Sequence, residues 1–140
     1  MSLARFCRKK VAIIQPMQSV AEAAEQMRDR HVGALVVVGE EPRPVGILTD
    51  RDIVTRVVAE RKDARAVSVL DVMSPQPVVA HVDDRLDQTF ITLRQLGVRR
   101  LPIVDGQGCL AGLVSLDDLL VLLAAELDQT AAVVRENRGP

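Results

Sequence analysis

The sequence predicts an α+β fold made of two copies of one β-α-β-β-α unit. Three observations lead to this prediction: the second half of the chain repeats the apolar pattern of the first, short β-branched runs alternate with amphipathic stretches, and 48% of the 140 residues are hydrophobic. A chain of this size can bury one sizeable core without disulfides or a metal. Only Phe6 and Phe90 are aromatic, so we expect a core of aliphatic side chains.

The repeat appears when the sequence is shifted by 66 residues without a gap. Three pairs of segments then match in their apolar pattern, although few residues are identical. The pairs are 20–27 with 86–93, 31–38 with 97–104, and 46–53 with 112–119. Three matches in one ungapped register indicate a duplicated unit rather than a chance similarity.

Each repeat is predicted to begin with a short strand and an amphipathic helix. Residues 12–14 and 78–80 are short apolar runs next to proline and polar residues, which is typical of strands. In the stretch 20–27, apolar residues recur at positions i, i+3, i+4 and i+7, and residues 86–93 have a similar stripe. These two stretches therefore predict helices that each bury one face.

Two more strands and a second helix complete each repeat. Residues 35–38 and 101–104 are apolar and rich in β-branched residues, as buried strands are, and a turn sequence follows each. Residues 45–48 and 110–114 then predict third strands that lead directly into helices. The charged residues 60–72 have no clear period and are predicted to link the repeats.

The last helix is predicted to be longer than its counterpart and apolar on more than one side. Its main apolar stripe consists of Leu116, Leu119, Leu120, Leu123, Leu127, Ala131 and Val134. Because Val121, Leu122 and Ala125 lie on other faces, the helix needs a second surface to cover it. We therefore expect a homodimer contact on this helix.

Composition argues against several classes of partner. The net charge is −1 and the longest basic run is Arg8-Lys9-Lys10, so we expect no nucleic-acid polymer and no anionic membrane as a partner. The apolar stretch 116–127 contains carboxylates and is too short to span a bilayer, and no secretory signal opens the chain. Cys7 and Cys109 are expected to be reduced thiols. A cytoplasmic location follows as an expectation.

Two related motifs occur at the third strand and the following helix of the two repeats. They are Gly46-Ile-Leu-Thr49-Asp-Arg-Asp52 and Gly112-Leu-Val-Ser115-Leu-Asp-Asp118, supported by the strand Arg100-Leu-Pro-Ile-Val-Asp105 and the opening Asp71-Val-Met-Ser74. With these motifs the chain resembles the tandem cystathionine-β-synthase (CBS) domain pair, of the stand-alone bacterial type. The first repeat departs from the usual opening, because Cys7 occupies the position that corresponds to Met73.

The resemblance implies two repeats that are related by pseudo-two-fold symmetry and packed sheet to sheet. The expected divisions are repeat one at 5–60, a linker at 61–72, repeat two at 73–126, and the end of the C-terminal helix with a tail at 127–140. The resemblance also implies a regulatory ligand, either AMP, ADP or ATP or a compound like S-adenosylmethionine, in the cleft between the repeats. It implies no catalysis and no required cofactor, and an effector protein on another chain that reads the ligand.

Thr49 and Ser115 lie where a strand passes into a helix, and Asp52 and Asp118 follow three residues later. A helix N-terminus favours phosphate, and an ionised carboxylate accepts hydrogen bonds from adjacent ribose hydroxyls. The same residues also satisfy the pattern of a capping box, in which they only stabilise the helix. We predict a ligand role, since Asp is a poorer reciprocal cap than Glu, although both roles can coexist.

Three arginines are candidate phosphate ligands. Arg99 and Arg100 precede the second strand of repeat two, and Arg51 is adjacent to Asp52. A guanidinium binds phosphate well, although a solvated surface position is an equally good explanation. Because repeat one has Gly33 and Ala34 in the corresponding places, we expect the two sites to differ in their affinity for charged ligands.

Small and apolar residues of the first strand in each repeat are candidates for holding an adenine, with core packing as the alternative. They are Ala12, Ile13, Val78 and Val79. His31 and His81 have no partners at metal-site spacing, and no catalytic motif is recognisable. We expect no metal site and no enzyme. The alternative to a ligand sensor is a purely structural dimerisation module, and an enzyme of unknown type is a weaker third possibility.

Overall fold

The computed structural model describes residues 3–7 and 11–138, and the basic run Arg8 to Lys10 lies outside them. The first half consists of a 3-10 helix Leu3–Phe6, β1 Ile13–Ile14, α1 Val20–Arg30, β2 Ala34–Val38, β3 Pro44–Thr49, and α2 Asp50–Ile53, which continues as a π-helix Val54–Val58. The second half consists of α3 Val69–Val72, β4 Ser74–Pro75, β5 Ala80–His81, α4 Leu86–Leu96, β6 Arg100–Val104, β7 Leu110–Ser115 and α5 Leu116–Asn137.

The described strands form two sheets, ordered β1-β2-β3-β4 and β5-β6-β7. In each sheet the first strand is parallel to the second, and the second is antiparallel to the third. Ala34 pairs with Thr49 as Arg100 pairs with Ser115, so the registers differ by the 66 residues of the sequence repeat. The predicted α+β fold with a duplicated unit is therefore confirmed.

Both faces of the central strands are covered. All five residues of β2 are buried, although neighbouring side chains of a strand point to opposite faces of the sheet. Leu35 and Val37 pack in one core with α1, whereas Val36 on the other face is equally inaccessible. Residues of α1 therefore cover the face of Leu35 and Val37, and the face of Val36 is also closed to solvent.

The opening segments of the two repeats are exchanged between the halves. β4, from the start of repeat two, pairs with β3 of repeat one, and Val69 and Val72 are buried in the first core. Conversely, Leu3 and Phe6 are buried in the second core. Each half is thus completed by a segment of the other, and Cys7 occupies the position in repeat one that Met73 occupies in repeat two.

The segment predicted as a linker, 61–72, is docked on the first half. The carbonyl groups of Ala64 and Val67 accept hydrogen bonds from the first backbone N–H groups of α1, at Ala21 and Val20, both at 2.9 Å. These N–H groups have no partner within their own helix, so the linker satisfies them. The segment also contains the short helix α3, which was not predicted because the sequence there has no clear apolar period.

Other differences from the expected elements are small. β5 lies two residues beyond the predicted start of that strand, at Ala80–His81. The helix after β3 changes to a π-helix after one turn, and α5 continues without a break past residue 126 to Asn137. Within residues 3–7 and 11–138, no helix combines the length and apolarity that a bilayer-spanning segment requires.

Candidate functional site

The two strand-to-helix junctions carry capped helix ends. Asp52 N donates to Thr49 Oγ1 at 3.2 Å, and Thr49 N donates to Asp52 Oδ2 at 2.9 Å, which completes a capping box. In repeat two, Asp118 N donates to Ser115 Oγ at 3.1 Å. The capping role is therefore present at both junctions, and any ligand must use the remaining acceptor capacity of these side chains.

Two pockets lie at the boundary between the halves. The first has a volume of about 400 Å³ and combines the junction of repeat one with the opening and second-strand segments of repeat two. The second, of about 370 Å³, combines the junction of repeat two with the corresponding segments of repeat one. Both volumes lie in the range of about 300–1,000 Å³ that is usual for small-molecule sites.

Nine of the eleven sequence-predicted residues line these pockets. The first pocket contains Thr49, Arg51, Asp52, Val78, Arg99 and Arg100. The second pocket contains Ala12, Ser115 and Asp118, and Arg100 borders it as well. Ile13 and Val79 line neither pocket, and Ile13 is 45% exposed to solvent. The pocket linings therefore mix the two repeats, so that the Thr49–Asp52 junction faces the arginines of the other repeat.

The lining of the first pocket includes both charged and apolar residues. Three guanidinium groups, from Arg51, Arg99 and Arg100, share the lining with the carboxylates of Asp50 and Asp52. The apolar lining consists of Ile47, Pro77, Val78, Leu96, Val98 and Leu101. Such a lining can hold a flat apolar group at one side and an anion at the other.

Two charged residues of the first pocket, Asp52 and Arg99, form described ion pairs, and Asp52 is the more enclosed of them. Its side chain is 15% exposed, and its Oδ1 lies 3.5 Å from Nη2 of Arg56. Arg56 also donates to the carbonyl of Val72 at 2.7 Å, so it ties the junction to the opening of repeat two. A carboxylate has about four lone-pair sites, so Asp52 can accept further hydrogen bonds beyond these.

Several pocket residues were not proposed from the sequence as site residues. Asp50 and Asp117 line the pockets, and so do Leu96 and Val98, which remain 44% and 41% exposed beside the left-handed turn at Gly97. The 66-residue repeat could have indicated Asp117, because Asp117 is the counterpart of Arg51, which was proposed as a site residue. No sequence pattern indicated Leu96 and Val98, since they share the pocket with residues of the other repeat.

Of the described histidines and cysteines, only His31 lines one of these two pockets. His31 ends α1 in the left-handed conformation, with φ of 54°, and borders the second pocket. Burial raises the pKa of the Cys7 thiol. Across the part of the chain that the structure describes, no three His, Cys, Asp or Glu side chains gather as metal ligands would.

The fold and its two pockets define a paired-repeat module with one pocket at each junction. The chain belongs to the CBS domain family, whose model matches residues 3–59 and 69–125. Among curated relatives, the CBS domain-containing protein YhcV of Bacillus subtilis is 41% identical over 80% of this chain and 78% of its own length. An uncharacterized protein of Methanopyrus kandleri is 34% identical over 85% of this chain, which spans only 61% of that protein.

Solved structures share the fold. A putative signal-transduction protein with CBS domains from Burkholderia ambifaria has a TM-score of 0.79 and 26% identity, covering 89% of this chain and 95% of that one. A CBS domain protein from Pyrobaculum aerophilum complexed with AMP has a TM-score of 0.78 and 22% identity, covering 89% and 99%. The chain is thus a tandem CBS pair, the type of module that serves regulation.

Proposed function

We propose that this chain is a regulatory module of the cytoplasm that binds an adenine nucleotide, or a compound like S-adenosylmethionine, between its repeats. The observation that carries the proposal is the composition of the first pocket. One lining brings together a carboxylate for ribose hydroxyls, guanidinium groups for phosphate and an apolar wall for the base. The AMP complex of the P. aerophilum protein, which has the same fold, supports this choice of ligand class.

The ligand would acquire its contacts from both repeats. Thr49 and Asp52 come from repeat one, whereas Val78, Arg99 and Arg100 come from repeat two. A ligand that touches both halves favours the arrangement in which its contacts are best, and so shifts the population between arrangements. An effector protein on another chain would detect this shift.

The self-association predicted for α5 is part of the proposal. Large apolar side chains of this helix are left exposed: Leu120 53%, Val121 71%, Leu123 43%, Leu127 70%, Val133 56% and Val134 51%. Leu120, Leu123, Leu127 and Val134 belong to the main apolar stripe of the helix, and exposed apolar surface of this kind marks interaction sites. We propose a second copy of the chain as the occupant, because the corresponding helix of repeat one also leaves Val54 and Val58 exposed, at 57% and 65%, so that a copy of this chain offers apolar surface of the same kind.

A purely structural dimerisation module is the alternative function. It is favoured by the capping hydrogen bonds at Thr49 and Ser115, which give these residues a role without a ligand. The two functions differ in what they predict for variants of the capping residues. Only a ligand-binding module should lose nucleotide affinity, because a structural module binds no nucleotide.

The test is a calorimetric and thermal-shift screen of AMP, ADP, ATP, NAD and S-adenosylmethionine. It compares the wild type with Asp52→Asn and with the control Glu22→Gln, which alters the matching capping box of α1 at Ser19, outside both pockets. We expect a ligand to bind the wild type and Glu22→Gln equally, and Asp52→Asn at least tenfold more weakly, a loss of about 1.4 kcal/mol. Absence of any ligand, or equal binding by all three proteins, would favour the structural module.

A further inference from the structure

The two pockets share charged residues, although the repeats occupy separate halves of the sequence. Arg100 lines the first pocket and also the second. Arg99 of the first pocket forms an ion pair with Asp117 of the second, with Nη2 and Oδ1 3.1 Å apart. Both connections run through the start of β6, so the same short segment contributes to both sites.

The guanidinium of Arg100 lies at the boundary between the pockets. A Cβ atom placed on Gly33, which borders the second pocket, would lie 3.7 Å from Nη2 of Arg100 and 3.2 Å from Oδ2 of Asp50, a residue of the first pocket. An alanine at Gly33 would therefore be tight only against the Asp50 carboxylate, and in ordinary van der Waals contact with the Arg100 guanidinium. The guanidinium of Arg100 in repeat two therefore lies close to the backbone of Gly33 in repeat one.

An arginine in this position serves one phosphate better than two. Its planar guanidinium forms paired hydrogen bonds with one anion at a time in the geometry that gives the strongest interaction. A phosphate in the first pocket that binds Arg100 and Arg99 would withdraw Arg100 from the second pocket.

We infer that phosphate-bearing ligands bind the two pockets with negative coupling, and that Arg100 transmits this coupling. This inference rests on the proposed nucleotide binding and adds a rule for how the two sites respond together. A ligand without phosphate makes no demand on Arg100, so two adenosine molecules bind independently. Because coupling is reciprocal, AMP in either pocket weakens AMP in the other by the same factor.

The inference is tested by calorimetric titration with AMP and with adenosine. Asp52→Asn and Asp118→Asn each weaken one pocket and so give the affinity of the other one, measured at ligand concentrations too low to fill the weakened pocket. Comparison with the second binding step of the wild type gives the coupling factor. We expect AMP to bind the second time at least about fivefold more weakly than to the isolated pocket, the lower end of typical coupling. For adenosine the factor should be about one.

The variant Arg100→Gln should bring the AMP coupling factor to about one, while the control Arg94→Gln, an exposed arginine of α4 outside both linings, should leave it unchanged. A wild type that binds one AMP, with a second bound only by Arg100→Gln, is the strong form of the same result. Independent binding of AMP in the wild type, or coupling that persists in Arg100→Gln, would overturn the inference while leaving nucleotide binding intact. If neither AMP nor adenosine binds the wild type, the proposed function fails and the coupling with it.

Discussion

The exchange of opening segments predicts that Gly112 cannot be replaced without loss of stability. A Cβ atom at Gly112 in β7 would lie 2.9 Å from the Cα atom of Cys7 and 2.9 Å from the carbonyl oxygen of Phe6. Both are backbone atoms, and Phe6 is held in the second core with an exposure of only 8%. The substitution Gly112→Ala must therefore displace a buried segment, and overpacking of this kind costs about 1–3 kcal/mol.

Two other glycines make this prediction specific. At Gly46, the counterpart in repeat one, a Cβ atom would meet the side chain of Met73 and, at 3.0 Å, the carbonyl oxygen of Ser74. Because the nearest of these atoms belongs to a flexible side chain, Gly46→Ala should cost less than Gly112→Ala. At Gly106, in the turn after β6, no described atom lies within 4 Å of the Cβ position. Gly106→Ala should be neutral within about 0.5 kcal/mol or stabilise the protein by about 0.4–1 kcal/mol.

Urea unfolding followed by circular dichroism measures these differences. With a slope of about 2 kcal/mol per molar urea, a loss of 2 kcal/mol lowers the midpoint by about 1 M. We expect the midpoints to rise in the order Gly112→Ala, Gly46→Ala, Gly106→Ala. A midpoint for Gly112→Ala equal to that of Gly106→Ala would show that residues 6 and 7 do not cross β7 as described.

Three further predictions concern the opening segment and α5. Leu3→Ala should destabilise the protein by about 2–5 kcal/mol in the same urea assay, because Leu3 is fully buried in the second core although it is near the chain start; a loss below about 1 kcal/mol would contradict this packing. In a Cys109→Ser background, alkylation of Cys7 can be followed by mass spectrometry as a function of pH. The rate should reach half its maximum at a higher pH than for free cysteine, since burial raises the pKa of the Cys7 thiol and the thiolate is the reacting form. A midpoint at or below that of free cysteine would refute this. Leu127→Glu should weaken self-association at least about tenfold in sedimentation experiments, whereas Gln129→Glu, which adds the same charge elsewhere on α5, should not; equal effects would exclude the proposed face.

The elements within each repeat could be predicted from the sequence because each depends on local pattern. The helix α1 has apolar residues at helical spacing and a Ser19 cap, and β2 is a continuous run of apolar residues from Ala34 to Val38. The shift of 66 residues then carried these assignments to the second half, where α4 and β6 occupy the expected places. Thr49 and Ser115 were found for the same reason, since a strand leads directly into a helix at both.

The exchange between halves could not be predicted, because it depends on contacts between distant segments. Leu3 and Phe6 have the spacing of a short helix, but nothing in that spacing indicates that they pack against the second repeat. Val69 and Val72 were assigned to a linker because the charged residues before them have no period. In both cases the burial is decided by the partner segment and not by the local sequence.

The composition of the pockets is limited in the same way. The sequence indicated Arg99 and Arg100 as candidates of repeat two. In the fold they share a pocket with Asp52 of repeat one. Ile13 was selected with Ala12 as a possible adenine contact, yet only Ala12 reaches a pocket. Residue types were therefore predictable, and their combination into sites required the relative position of the halves.

The most direct test of nucleotide binding between the repeats is a crystal structure of the protein grown with AMP. We expect one AMP in the first pocket, with its ribose hydroxyls at Asp52, its phosphate at Arg99 and Arg100, and its base against Val78. AMP bound outside both pockets, or pockets that remain empty at a concentration that saturates binding in solution, would contradict the account.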